Sequence, residues 1–334
     1  MYNFFKCPKC RQTMSLPTCN CGYTVPYNQN VYQLTNDPYI VKDESADAKY
    51  IGYEDIGEVY SGGSVISQMK LYDNFKTVAD QIGDGILLDL ACGDGLYTVP
   101  LLKNGVKVIA MDISDKMLSL LHRRAENAGV DTSNLITCRA NALDIPIENE
   151  SVDAVIANSM LHLISKPEVV VNEIYRVLKK GGKFLTFEDK PSNDMHKKNR
   201  PLLSETEIAD NKKNTEMMNY IHTEYFQILK DEYNILKKRY SWNFDREKLC
   251  DELFSGKETI VIPIENKMRY TLKDSFIYRM SGKGYSDQSD VPNDIHKVVF
   301  DRVMAEYEDK YGKEAANTNY TGYEDDREMT VYVK

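Results

Sequence analysis

Residues 86–98 read ILLDLACGDGLYT: an apolar run broken by one aspartate, then two glycines separated by one residue, Gly93-Asp94-Gly95. The run suits a strand buried on both faces, and the small residues after it let the chain turn tightly and a ligand approach the backbone. Outward from this stretch, strand and helix signals alternate. A helix is expected over 96–103, a strand at VKVIAMD (106–112), a helix over 114–128 and a strand over 135–141. A strand at VDAVIANS (152–159), a helix over 167–179 and a strand over 182–189 follow, with Gly181-Gly182 read as the cap that ends the last helix. Such alternation predicts a doubly wound α/β architecture with a parallel sheet.

In sheets of this kind a ligand lies beyond the carboxyl ends of the strands at the topological switch point, which is where 91–95 falls. The helix starting near Leu96 offers free N–H groups there. Asp112 closes the next strand, seventeen residues after Gly95, a position from which an acid can accept both hydroxyls of a ribose. A pyrophosphate loop calls for a third glycine three residues beyond Gly95; Thr98 stands there, which argues against a dinucleotide.

The chain of 334 residues is 42% apolar, enough for a full-sized core, and its formal net charge of −9 gives no general attraction to polyanions. No segment reads as a leader peptide and no run approaches the ~20 apolar residues a bilayer requires, so a cytoplasmic address without membrane attachment is expected. Cys7, Cys10, Cys19 and Cys21 lie within fifteen residues, whereas Cys92, Cys138 and Cys250 are scattered. Four clustered thiols in a reducing compartment suit a structural Zn²⁺ held tetrahedrally; free or partly oxidised thiols are the alternative. Only one residue separates Cys19 from Cys21, and Gly22 after it permits a tight turn.

Five stretches, taken in order, resemble the motifs of class I S-adenosylmethionine-dependent methyltransferases of the ubiquinone/menaquinone-methyltransferase-like branch. They are Asp89-Leu-Ala91-Cys92-Gly93-Asp-Gly95, Met111-Asp112-Ile113-Ser114, Arg139-Ala-Asn141-Ala142-Leu143-Asp-Ile-Pro146, Val152 through Asn158 to His162, and Arg176 through Gly182. Ala91 stands where the family usually has its first glycine, and Asn141 where it usually has Asp. The resemblance implies a Rossmann-like seven-stranded sheet whose last two strands are antiparallel. It also implies S-adenosylmethionine as cofactor, bound by Asp89, Ala91, Cys92, Gly93, Gly95, Asp112, Ile113, Asn141, Ala142, Leu143 and Asn158. The head, CPKC (7–10) followed by CNCGYTVPYNQNVYQLTNDP (19–38), resembles the zinc ribbon that precedes the catalytic domain in ribosomal-RNA guanine methyltransferases, which implies Cys7, Cys10, Cys19 and Cys21 as metal ligands.

Beyond Lys190 the alternation stops. Residues 191–248 carry eleven Lys/Arg against ten Asp/Glu, a balance that favours a small acceptor over RNA. Within it, 215–240 has apolar residues at helical spacing, read as a lid over substrate or as a helix packed on the core or on a second subunit. Strand signals return at 258–271 and 329–334, with helices over 272–281 and 293–311. The expected organisation is a zinc ribbon (1–36), a linker (37–63), a helix over 64–80 that opens the Rossmann-like core (64–190), a helical lid insertion (191–250) and a C-terminal completion of the core sheet (251–334).

The expected activity is methyl transfer to a small or medium-sized acceptor. An RNA methyltransferase whose ribbon holds RNA is the alternative, favoured by Lys6, Lys9 and Arg11; a non-catalytic S-adenosylmethionine-binding protein is a third reading. The sulfonium is already activated, so placement of the acceptor supplies most of what the reaction needs. Where the acceptor must lose a proton, His162, Glu188 and Asp189 are the candidate bases, each at or just past a strand's carboxyl end.

Overall fold

The computed structural model describes residues 2–35, 57–59, 61, 75–164, 166–188, 201–237, 245–262, 267–288, 291–323 and 327–334. The first elements are a hairpin of β1 (Asn3–Lys6) and β2 (Thr13–Ser15), then β3 (Tyr27–Asn28) and β4 (Val31–Gln33). Helix α1 (Phe75–Ile82) covers the end of the helix expected over 64–80, and 64–74 lie outside the described residues. The alternating part follows as β5 (Ile86–Leu90), α2 (Thr98–Lys103), β6 (Lys107–Asp112), α3 (Asp115–Asn127), β7 (Leu135–Arg139), β8 (Val152–Ile156), α4 (Pro167–Val177) and β9 (Leu178–Glu188).

Next come α5 (Glu205–Tyr233), α6 (Arg246–Leu253), β10 (Gly256–Ile262), β11 (Lys267–Thr271), α7 (Tyr278–Ser281), α8 (Asn293–Tyr311), β12 (Asn319–Tyr323) and β13 (Arg327–Val333). Among the described residues no helix is long and apolar enough to cross a membrane.

The main sheet has the strand order β10-β13-β9-β8-β5-β6-β7-β4-β3. Strands β4 to β9 run parallel to their neighbours within this set, while β13 lies antiparallel to both β9 and β10. The chain leaves β5 toward β6 and β7, then crosses back to β8 and β9, so the switch point lies between β5 and β8. Alternation along each strand sorts side chains to two faces: Leu88, Leu90, Ile109 and Met111 pack in one buried cluster, Leu87, Val108 and Ala110 in the other.

Three expectations are corrected. The sheet has nine strands rather than seven, because β4 pairs in parallel with β7 (Tyr32 opposite Cys138, Gln33 opposite Arg139) and carries β3 with it. Gly181-Gly182 does not cap a helix. Helix α4 ends at Val177 and β9 begins at Leu178, with Gly181 at φ 75° beside an irregularity in the β8–β9 register. A Cβ on Gly182 would meet Lys179 O at 2.8 Å, so close backbone approach requires glycine there. Finally, the strand expected over 258–271 is two strands in different sheets: β10 joins β13, whereas β11, among the described residues, pairs with β12 alone.

Residues 267–323 therefore pack mainly with the insertion. Helix α5 starts at a capping box in which Ser204 and Glu207 bond each other's backbone N–H, and ends at Asn234 in a left-handed conformation. It packs against α8 and β12 around Met217, Ile221, Tyr225, Leu229, Leu272, Val299, Val303 and Tyr307. Asn214 donates to Thr318 O at 3.0 Å, and Asn211 accepts from Thr321 N at 2.7 Å, which ties the helix to β12.

Candidate functional site

The loop after β5 is shaped by three left-handed residues: Ala91 (φ 54°), Gly93 (φ 56°) and Gly95 (φ 83°). Ala91 adopts the conformation a glycine would take at lower cost, consistent with its place in the motif. A Cβ on Gly95 would lie 2.8 Å from Leu121 Cγ, and one on Gly93 3.3 Å from Met117 Cε. Both glycines thus let α3 approach the loop. Cys92 N–H donates to Met111 O at 3.0 Å, and Gly93 N–H to Asp112 Oδ2 at 2.9 Å. Ser114 N–H donates to Asp112 Oδ1 at 2.9 Å, while the Ser114 hydroxyl caps α3 by accepting from Met117 N–H at 3.1 Å.

The Asp112 carboxylate is thus fixed by one backbone N–H on each oxygen. These two donors set the direction in which the carboxylate faces. Asp112 and Ile113 are partly exposed at the end of β6, and Asn141, Ala142 and Leu143 are partly exposed just beyond β7. Asn141 folds its own loop: its Oδ1 accepts from Leu143 N–H at 3.0 Å. The loop 91–95, the pair 112–113 and the turn 141–143 therefore follow three adjacent parallel strands, at one edge of the sheet.

Asp89 is placed differently. It is 2% exposed beneath the loop and accepts from Thr98 Oγ1 at 2.6 Å. Desolvation, with the nearby Asp112 charge adding to it and the Thr98 hydrogen bonds opposing it, pushes its carboxyl up to about 7. This hydrogen bond ties β5 to the start of α2. Cys92 is also buried, and burial raises its thiol well above the usual range. Asn158 is partly exposed after β8 and donates to Ser159 Oγ at 3.1 Å.

Of the candidate bases, His162 lies exposed in a short 3-10 turn (Leu161–Leu163), and desolvation lowers its pKa. Glu188 ends β9 opposite Glu328, and Asp189 lies outside the described residues.

Sequence reasoning missed the ion pair that locks the loop to α3. Asp94 and Arg124, both buried, are in direct contact, and Arg124 NH2 also donates to Ser61 Oγ at 3.4 Å. The available signal was periodicity: Arg124 occupies an apolar-face position of α3, one step beyond Met117, Leu120 and Leu121. A cation at such a position asks for a buried acid.

In the N-terminal segment, the Sγ atoms of Cys7, Cys10, Cys19 and Cys21 all lie within 4.8 Å of one another, with Cys7–Cys21 at 3.8 Å and Cys10–Cys19 at 3.6 Å. A tetrahedral centre with metal–sulfur bonds of about 2.3 Å requires sulfurs about 3.8 Å apart, so the set fits such an ion. Burial raises the Cys7 thiol, but N–H groups of Cys10 and Lys9 outweigh it and hold it near 7. Four crowded sulfurs are a natural cation ligand set.

Residues 88–186 match the family model described as a methyltransferase domain. A demethylmenaquinone methyltransferase of Clavibacter sepedonicus is 36% identical over 113 residues, 34% of this chain and 44% of that protein. A ubiquinone/menaquinone biosynthesis C-methyltransferase of Rhizobium meliloti is 36% identical over 105 residues, 30% of this chain and 40% of that one. Among solved structures, a SAM-dependent methyltransferase of Thermotoga maritima aligns over 84% of this chain and 98% of its own, at 15% identity and a TM-score of 0.41. The chain spans between 30% and 49% of the length of the first curated relatives it matches.

Proposed function

We propose that this chain is an S-adenosylmethionine-dependent methyltransferase acting on a small or medium-sized acceptor. The observation that carries the reading is the partly exposed Asp112 carboxylate at the end of β6, oriented by Gly93 and Ser114 N–H groups at the position from which an acid accepts ribose hydroxyls. Asn141, Ala142 and Leu143 would flank the adenine, and the backbone of 91–95 would receive the amino-acid end. When bound, the cofactor supplies a methyl group already activated on sulfur. The protein then has to hold the acceptor in line and keep water out.

The matched quinone-pathway methyltransferases support an acceptor of small-molecule size. The basic residues that favoured RNA are partly engaged within the chain, since Arg11 pairs with Asp144 at 2.5 Å. A structural Zn²⁺ at Cys7, Cys10, Cys19 and Cys21 belongs to the same reading. The layer built on α5 and α8 is proposed as the cover of the acceptor side. Its backbone should gain protection from hydrogen exchange when cofactor and acceptor are both present, and unchanged exchange would leave it a packing layer.

Titration calorimetry with S-adenosylhomocysteine tests the cofactor reading. Asp112→Ala removes charge-assisted hydrogen bonds worth ~1.5–3 kcal/mol each, so affinity should fall tenfold or more in a variant whose circular dichroism is unchanged. A parent chain that does not bind removes the reading. Radiolabelled cofactor with fractionated cell extract, half of it treated with ribonuclease, separates a small acceptor from RNA; binding without any transfer identifies a sensor.

A further inference from the structure

Loop 141–148 starts with the residues assigned above to the adenine, and its internal hydrogen bonds are short-range: Leu143 N–H to Asn141 Oδ1, Asp144 N–H to Asn141 O at 3.1 Å and Ile147 N–H to Ile145 O at 2.8 Å. The loop is also gripped from two sides. On one, Ile145 N–H donates to Glu173 Oε2 at 2.9 Å, and Arg176 donates to Ile145 O at 2.9 Å and Ile147 O at 2.7 Å. On the other lies the N-terminal segment. Lys6 N–H donates to Pro146 O at 3.0 Å, Glu148 N–H to Phe4 O at 2.8 Å and Thr13 Oγ1 to Glu148 Oε1 at 2.8 Å, while Phe5 and Ile147 form an antiparallel bridge.

The grip reaches the cysteines through Arg11, whose NH2 meets Asp144 Oδ1 at 2.5 Å. Arg11 immediately follows Cys10, and its N–H closes the turn on Cys7 O at 2.9 Å. Its φ is 62°, a left-handed conformation that glycine adopts freely and an arginine does not. An arginine held there against its backbone preference points to a task for its side chain. The same segment touches the ribose side as well: Gln33 Nε2 donates to Asp115 Oδ1 at 2.9 Å, three residues after Asp112.

We propose that the cysteine cluster acts as a positioning element of the cofactor site. A metal ion held by Cys7, Cys10, Cys19 and Cys21 fixes the turn that carries Arg11. Arg11 and β1 then fix loop 144–148, and with it the turn at 141–143. The proposal rests on the cofactor reading given above. It has a strict thermodynamic consequence: whatever factor the metal contributes to cofactor affinity, the cofactor must contribute to metal affinity.

The test uses the full chain, Zn²⁺ and S-adenosylhomocysteine. Competition with a chromophoric chelator gives zinc affinity with and without the nucleoside; calorimetry gives nucleoside affinity with and without zinc. Both should change by the same factor, fivefold or more. The Arg11–Asp144 pair is half exposed (48% and 57%), so Arg11→Ala should weaken nucleoside binding only two- to threefold. Arg11→Lys should recover part of that loss. Asp144→Ala and the double variant should show the same loss as Arg11→Ala, a non-additivity that persists even where zinc removal unfolds the chain. Zinc affinity indifferent to the nucleoside, a chain that holds no zinc, or additive losses in the double variant overturn the proposal. Zinc-loaded protein that binds no nucleoside brings down the cofactor reading itself; binding that ignores zinc brings down only the coupling.

Discussion

The N-terminal segment and the layer built on α5 and α8 are both additions to the same sheet, but they are attached in opposite ways. Phe5, Cys7, Met14, Leu16, Cys19, Val25 and Leu34 are buried in one cluster with Leu88, Ile109 and Met111 of the sheet, and β4 continues the ladder itself. The helical layer buries Met217, Tyr225, Leu229, Val303 and Tyr307 in a cluster that, among the described residues, contains no strand of the large sheet. A described junction between that layer and α3 is the short stretch 57–59. There Glu58 pairs with Lys116 at 2.7 Å and Arg123 at 2.5 Å, and Val59 fills the space over Gly282, where an added Cβ would come within 2.3 Å of its Cγ2. The difference follows from size. A few dozen residues cannot bury enough apolar surface alone and borrow the sheet's, whereas a 29-residue helix with α8 and β12 has enough to build its own core.

This contrast predicts that the N-terminal segment and the sheet lose structure together while the helical layer responds alone, and four variants probe it. The largest effect is expected for Cys10→Ala. Structural zinc contributes ~10–16 kcal/mol in isolated fingers, so metal analysis should find the ion lost and calorimetry should find the sheet melting well below the parent. Full zinc content in Cys10→Ala removes the ligand assignment, and an unchanged sheet transition breaks the shared-core argument. Next, Leu229→Ala should cost ~2–5 kcal/mol as a cavity in a fully buried position. Hydrogen exchange should accelerate over 205–233 and 293–311 and stay unchanged in β5 to β8; acceleration in those strands would join the two cores.

A smaller, pH-dependent effect is expected at Asp89. Its carboxyl is raised on folding from 3.8 to about 7, chiefly by burial, so the folded chain binds this proton more tightly than the unfolded one. Stability from this group is therefore full at low pH, declines as pH rises from about 4 to about 7, and is level above that. Asp89→Asn keeps an acceptor for Thr98 without the charge. Relative to the parent, it should gain a few degrees in melting temperature between pH 5 and pH 8. An identical difference at both pH values would mean that the site does not penalise the charge. The smallest effect belongs to Ala91→Gly, which relieves a left-handed alanine and should stabilise by at most ~1 kcal/mol; a lower melting temperature would show that the methyl group packs usefully.

Much of the candidate site was legible because it is local. The turn at 91–95 and the acid closing β6 are each set within a few residues by glycine's freedom and strand length, whereas the Asx turn at Asn141 emerged only in the structure. The four cysteines were legible from spacing. The glycines' partner was not: α3 lies against Gly93 and Gly95, so substitution there strains the loop and that helix rather than simply filling the cofactor's space. The ion pair of Asp94 with Arg124 joins residues thirty positions apart, and only packing brings them together.

What the sequence determined by itself was the alternation of strands and helices, the doubly wound class, the tight turn after β5 and the thiol cluster, because hydrophobic period, turn chemistry and cysteine spacing act over a handful of residues. Only the tertiary structure decided that β3 and β4 extend the sheet to nine strands, that 258–271 divides between two sheets, and that α5 joins α8 and β12 in a separate core. The physical reason is range. Those outcomes depend on pairings such as Gln33 with Arg139 and Asn211 with Thr321, between residues more than a hundred positions apart. Short strands of two or three residues carry no periodic signal of their own, and their place is set by whichever backbone partners and apolar surface the rest of the fold leaves open.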